Sequence, residues 1–228
     1  MQLNMKKIGL YVIIASLMLS FTSCFEDLEI WDSETLEYSG RYVFKLMSED
    51  MKDTYVDYDG YEIQIYNTAG NAPNIVWMDD HEDIFPLKNK FEFSGNASSF
   101  KSTTEDFTKL TNNIYSTDDL PTPAPTAAGQ TVTEDEKFYI RAAVLEGKII
   151  PGAAKSIGGN ISDSLYIKIK LYSGTATYTS YEVPEALRAD PKVPEFKWKF
   201  TSATHDPDLD EIYVIGGYRY TGMPEDNF

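Results

Sequence analysis

Scarcity says more about this chain than abundance does. Its 228 residues contain one cysteine and two histidines. A lone cysteine excludes an intrachain disulfide. Two histidines leave few acid–base or metal-ligand schemes, and each can be tested residue by residue. Basic side chains are outnumbered, 20 Lys and Arg against 36 Asp and Glu, for a net charge of −16. Such a surface repels phosphate backbones, so nucleic acid is excluded as a partner. No Gly-x-Ser-x-Gly nucleophile turn occurs: Asn96-Ala-Ser98 and Asn160-Ile-Ser162 lack both flanking glycines. Gly158-Gly159 and Gly216-Gly217 are isolated pairs, without the spacing of a phosphate cradle. The sequence assigns no catalytic residue, no metal, no cofactor and no oligomeric state.

Long apolar runs are also missing. The longest, Ile8–Leu19, follows Lys6-Lys7. It falls short of the roughly 20 residues of a spanning helix and has the make-up of a secretory leader. Thr22-Ser23-Cys24 closes it. This arrangement resembles the lipobox of bacterial lipoproteins, with Phe21 where leucine is usual, and implies that Cys24 is acylated and becomes the first residue of the exported chain. Several acyl chains on one cysteine hold a protein stably at a membrane. Acidic residues directly after it, in Phe25-Glu-Asp-Leu-Glu29, resemble the signal that sends some lipoproteins to the outer membrane and its exposed face; a solvated tether has the same composition. The expected organisation is a leader over 1–23, an acylated tether over 24–37 and one domain over 38–228.

From Gly40 onward the chain alternates. Tyr42, Phe44 and Leu46 fall on one side, as do Tyr61, Ile63 and Ile65, and Leu165, Ile167, Ile169 and Leu171. Period two with β-branched and aromatic residues predicts half-buried strands. Further strands are expected at 74–79, 90–93, 98–102, 137–144, 175–182, 196–200 and 211–220, with turns at Tyr58-Asp-Gly60, Ser94-Gly-Asn96 and Ser173-Gly174. Short helical turns fit 103–110 and 184–190. Residues 111–135, with Pro121, Pro123 and Pro125, read as a long surface loop inserted into the domain, because proline removes ladder donors. The class is all-β, sandwich or barrel.

The two histidines lie in acidic stretches. Asp79-Asp-His81-Glu-Asp83 gathers carboxylates around an imidazole, yet successive residues of a turn diverge, which describes a solvated hairpin. His205-Asp-Pro-Asp-Leu-Asp-Glu211 spaces Asp206, Asp208 and Asp210 like the start of a calcium loop, but Glu211 replaces the required glycine and Gly217 the closing glutamate. What abounds is aromatic surface: 16 Tyr, 12 Phe and 3 Trp. Tyrosine combines an apolar ring with a polar tip, suiting a ligand wall or contact surface, although sheets favour aromatics in any case.

Three segments, Ile65–Asn71 with Ile75–Asp80, Gly147–Ala153 through Ser162–Tyr166, and Ile215–Gly222, together resemble the lipid-binding putative hydrolase family of small bacterial lipoproteins, over roughly residues 36–224. The resemblance implies a single antiparallel lipocalin-like β-barrel and a small apolar or amphipathic ligand, such as a lipid. Lipocalins open their first strand with Gly-x-Trp and lay an arginine from the last strand over that tryptophan. Here Gly40-Arg-Tyr42 opens the first strand and Arg219 lies in the last, so Arg219 is expected over Tyr42, closing the barrel base. Trp77 and Tyr218 are the candidate ligand contacts, subject to strand register. Three functions stay open: a ligand carrier, a cell-surface module for protein or glycan with a filled barrel, and a hydrolase with an unrecognised site.

Overall fold

In the computed structural model, the described residues are 32–226 except 59, 82, 85, 86, 113–119 and 136–138. Cys24, the expected leader and the first part of the expected tether lie outside them. Twelve strands are described: β1 (Gly40–Ser48), β2 (Thr54–Val56), β3 (Glu62–Asn67), β4 (Ile75–Asp79), β5 (Asn89–Asn96), β6 (Ser99–Ser102), β7 (Thr131–Asp135), β8 (Arg141–Lys155), β9 (Ile161–Tyr172), β10 (Gly174–Glu182), β11 (Phe196–His205) and β12 (Glu211–Arg219).

β12 pairs with β9 along one edge and with β1 along the other, so the sheet closes on itself. The ring runs β1, β3, β4, β5, β6, β8, β9, β12, an eight-stranded antiparallel barrel, and β2 extends the β3 side of β1 at Leu46 and Met47. Closure removes the sheet edges that would otherwise recruit other chains. Alternation decides which side chains go inside. On β9, Leu165, Ile167, Ile169 and Leu171 are buried in the interior, while Lys168 and Lys170 reach outward to Glu49 and Asp210. Tyr42, Phe44, Leu46, Ile63, Ile65, Val76, Met78, Phe91, Val144 and Ile215 complete the inner set. Towards one end the rings of Tyr38, Phe93 and Phe100 interlock at centroid distances of 4.9–6.1 Å, each such pair adding about 0.5–1.5 kcal/mol beyond area burial.

The tightest seam joins β6 to β8. Phe100 opposes Gly147, and a Cβ on Gly147 would lie 2.1 Å from Phe100 Cε2. Only glycine lets that ring lie flat across the neighbouring strand. β8 is longer than its apolar pattern implies, because it runs on through Pro151 to Lys155. The proline sits in a register shift between Ile150 and Ala154, with Gly152 at φ +64° beside it, the position where a sheet tolerates a missing donor.

A second sheet, ordered β11-β10-β7, grows directly out of the barrel, since only Ser173 separates β9 from β10. It corrects the expectation of a loop over 111–135. The last residues of that stretch form β7, paired with β10 from Thr131↔Thr179 to Asp135↔Thr175. The prolines precede the strand and cover the sheet instead. Ser180 Oγ donates to Ala127 O (2.6 Å) and accepts from Gln130 N–H (2.8 Å), and Trp198 Nε1–H donates to Pro123 O (3.1 Å). Among the described residues, helix is confined to single 3-10 turns at Glu185–Leu187, Pro207–Leu209 and Pro224–Asp226.

Candidate functional site

The two ends of the barrel differ chemically. At the end where β1 begins, Tyr42 and Arg219 are direct cross-strand partners. The Arg219 guanidinium lies 5.5 Å from the Tyr42 ring centroid. Arg219 Nη2–H donates to Tyr42 Oη (3.0 Å) and Glu37 O (3.2 Å), and Tyr42 Oη–H donates onward to Tyr38 O (3.1 Å). Asp163 Oδ2 stands 3.4 Å from Arg219 Nε. That Nε is buried without a hydrogen bond, so the pair is an ion contact rather than a bonded fork. Gly40 makes room: a Cβ there would lie 3.1–3.3 Å from Arg219 Nε, Cδ and Cγ. Burial raises the Tyr42 pKa, outweighing the arginine that lowers it, so the phenol keeps its proton and continues the chain of bonds. Gly40, Tyr42 and Arg219 thus come together. In front of them the turn Ser33–Ser39 folds against the base, with Thr35 fully buried and Tyr38 N–H and Ser39 N–H both donating to Thr35 O.

The opposite end is a tyrosine mouth. Tyr213 shares its face of β12 with Ile215 and packs on the interior, as do Tyr139, Tyr61, Val56 and Ile84. Tyr139 Oη and Tyr213 Oη lie 3.2 Å apart. Both donate to Glu211 Oε2, and the exposed Tyr55 ring stands edge-on to Tyr213 at 5.8 Å. Burial first, and then the Glu211 carboxylate, push both phenols above the usual tyrosine range. They are therefore protonated donors at neutral pH, polar tips above an apolar floor. Between mouth and base the interior is packed by the protein itself. Tyr42, Ile63, Val76, Met78, Ala142, Val144, Ile167, Ile169 and Leu171 are each 0 % exposed, so no water-sized void borders them.

The candidate ligand contacts Trp77 and Tyr218 fall elsewhere, which corrects that expectation. Val76 and Met78 take the inward positions of β4, so Trp77 faces out, stacked on Tyr66 with Lys90 Nζ 5.1 Å from its ring. Tyr218 alternates with Arg219 and also lies on the outer surface, covered by Tyr58 at 5.3 Å and by the turn at Ile157, whose N–H it accepts at 3.4 Å. Neither lines the interior. His81 is an exposed turn residue at φ +58°, its Nδ1 3.9 Å from Asp79 Oδ1. His205 Nε2 meets both Asp210 oxygens at 2.9–3.0 Å, and its ring stacks on Phe107 (4.6 Å) and meets Tyr172 edge-on. Among the described residues no hydroxyl nucleophile bonds to either imidazole. Asp210 also receives Lys170 Nζ (2.9 Å) and Ser173 N–H (3.2 Å), which makes the His205–Asp210 pair a latch where the small sheet leaves the barrel. The mouth residues Tyr139, Glu211 and Tyr213 were not among the residues the sequence singled out. The signal for one of them was parity: with Arg219 inward, Tyr213 must be inward too.

A closed eight-stranded antiparallel barrel, sealed at one end by an arginine laid on an aromatic ring and aromatic at the other, is a lipocalin-like barrel protein. The family described as lipid-binding putative hydrolase matches residues 27–224, and the chain belongs to that family. No curated protein matches it. Family and barrel together fit a lipid-binding role.

Proposed function

We propose that this protein is a lipoprotein of the outer membrane, held by acyl chains on Cys24, that binds one small apolar or amphipathic molecule of lipid type through the tyrosine mouth of its barrel. The observation carrying this reading is the contrast between the ends: a base tied by Arg219, Tyr42 and Tyr38, and a mouth where Tyr139 and Tyr213 stand over a continuous apolar interior. An amphipathic ligand matches that gradient, its polar group taking the place of the Glu211 carboxylate as acceptor for the two phenols and its apolar part displacing their rings from the core. The nine interior residues named above are fully buried, so a ligand reaching past the mouth displaces side chains. The tyrosines of the rim are only half-buried, unlike the interior side chains below them.

Native mass spectrometry with solvent extraction, on the chain freed of residues 1–24, tests this. One bound lipid per chain is expected, and its occupancy should fall severalfold in Tyr213→Ala. A mass that stays unshifted after addition of mixed lipids would remove the carrier reading. The packed interior favours a second reading, a rigid surface module that engages protein or glycan from outside the barrel, and that reading would then take its place.

A further inference from the structure

The base end of the barrel carries an apolar rim that the ligand-binding reading does not use. Leu36, Ile150, Ile157, Ile161 and Met223 are each about half exposed or more, Ile161 reaching 73 %. They come from three separate segments at this end. Leu36 lies in the turn entering β1, Met223 in the segment leaving β12, and the isoleucines in the β8–β9 hairpin. That hairpin runs past the barrel wall through the rungs Ala154↔Ser162 and Lys155↔Ile161. From Lys148 to Ser162 it contains no acidic residue, in a chain of net charge −16.

The tip is held rather than loose. Ser156 N–H donates to Asn160 O (2.9 Å) and Gly158 N–H to Asp226 Oδ1 (2.8 Å), while Asn160 Nδ2 donates to Glu225 Oε1 (3.1 Å). The C-terminal turn therefore fixes the hairpin tip with Ile157 and Ile161 pointing to solvent, and sets Met223 beside it. Rigidly presented isoleucines flanked by glycine and alanine, with lysines at the sides, form a surface suited to the headgroup–acyl boundary of a bilayer.

The chain itself says which surface lies nearby. Ser33 enters the folded unit at this same end, where Leu36 faces Pro151 and Arg219 across a groove of about 430 Å³. At ~3.3–3.6 Å per residue, the stretch from Cys24 to Ser33 reaches no more than about 30 Å. We infer that the base is a membrane-docking face: Ile157 and Ile161 of the β8–β9 hairpin enter the interface of the bilayer that holds Cys24, leaving the tyrosine mouth turned away from it. The inference rests on the anchored-lipoprotein reading. Glu37, Asp163 and Glu225 around the rim favour a neutral lipid surface over an anionic one.

An acylated Cys24 has no free thiol, and it is the only cysteine, so single introduced cysteines can be labelled on the full acylated protein. The variants Ile157→Cys, Ile161→Cys, Lys52→Cys and Leu209→Cys, each bearing an environment-sensitive dye, would be placed in phosphatidylcholine vesicles with and without a lipid-borne quencher. Labels at 157 and 161 should shift to the blue, brighten severalfold and be quenched, whereas those at 52 and 209, exposed and far from the base, should stay water-like. Water-like emission at 157 and 161 would overturn the proposal, as would an equal blue shift without vesicles, which would report self-association. The intact mass of the same samples shows whether Cys24 carries acyl chains, separating failure of the anchor from failure of the docking face.

Discussion

At the residue scale, the barrel base depends on one missing side chain. Gly40 leaves the space through which Arg219 passes to reach both Tyr42 Oη and Glu37 O. Gly40→Val should cost about 1–3 kcal/mol through overpacking. Arg219→Ala should cost a comparable amount, since it removes two hydrogen bonds from a charged donor. The two changes act on the same space, so the double variant should be less destabilised than their sum. Urea denaturation of all four proteins measures this, and strict additivity would mean that Gly40 matters for its backbone alone. This contact was legible only through the lipocalin resemblance, which lays an arginine of the last strand over an aromatic residue near the start of the first. The positions of Trp77 and Tyr218 were not legible. Tyr218 and Arg219 are neighbours on one strand, so an inward Arg219 puts Tyr218 outside, and hydrophobic character alone favoured both. Glu211 gave no signal, because a carboxylate shared by two tyrosines arises only when distant strands meet.

At the element scale, legibility followed the strength of alternation. β9, with Leu165, Ile167, Ile169 and Leu171 against Tyr166, Lys168 and Lys170, could be read directly. β2 could not: it spans Thr54–Val56 and gains its place only by extending β1 beyond β3. β7, Thr131–Asp135, is mostly polar and held by a partner strand far along the chain, from Thr131↔Thr179 to Asp135↔Thr175, so local pattern carried nothing. The β6–β8 seam is the element contact most exposed to a single change. Gly147→Val would drive a side chain into the Phe100 ring where β6 and β8 share the paired position Phe100↔Gly147. We expect a loss of about 1–3 kcal/mol. Phe100→Ala should cost about 3–5 kcal/mol for the cavity it leaves but relieve most of the Gly147→Val penalty. Chemical denaturation decides it, and a Gly147→Val protein as stable as the parent would show that the ring swings away freely.

For the whole molecule, two kinds of sheet share one chain. The barrel closes on itself and buries the middle of its inner face. The β11-β10-β7 sheet has an edge on each side, and its outer face shows Thr175, Thr177 and Thr179 with Lys197 and Lys199 to solvent. It is covered on the other face by residues 121–130, through Ser180 and Trp198. Its junction with the barrel is the Asp210 latch, which joins Lys170, Ser173 and His205. Local stability follows buried apolar area and shielded hydrogen bonds, so native-state hydrogen exchange should resolve two tiers. Amides of Ile167, Ile169 and Val214, in the barrel ladder, should exchange only through global unfolding. Those of Tyr178 and Ser180 should exchange through a smaller opening that leaves the barrel intact. Asp210→Asn weakens the charged contacts of the latch while preserving shape, so it should speed exchange in β10 and β11 severalfold more than in β9 and β12. Equal protection in both tiers, or an Asp210→Asn effect spread evenly over the molecule, would mean that barrel and small sheet unfold as one cooperative unit.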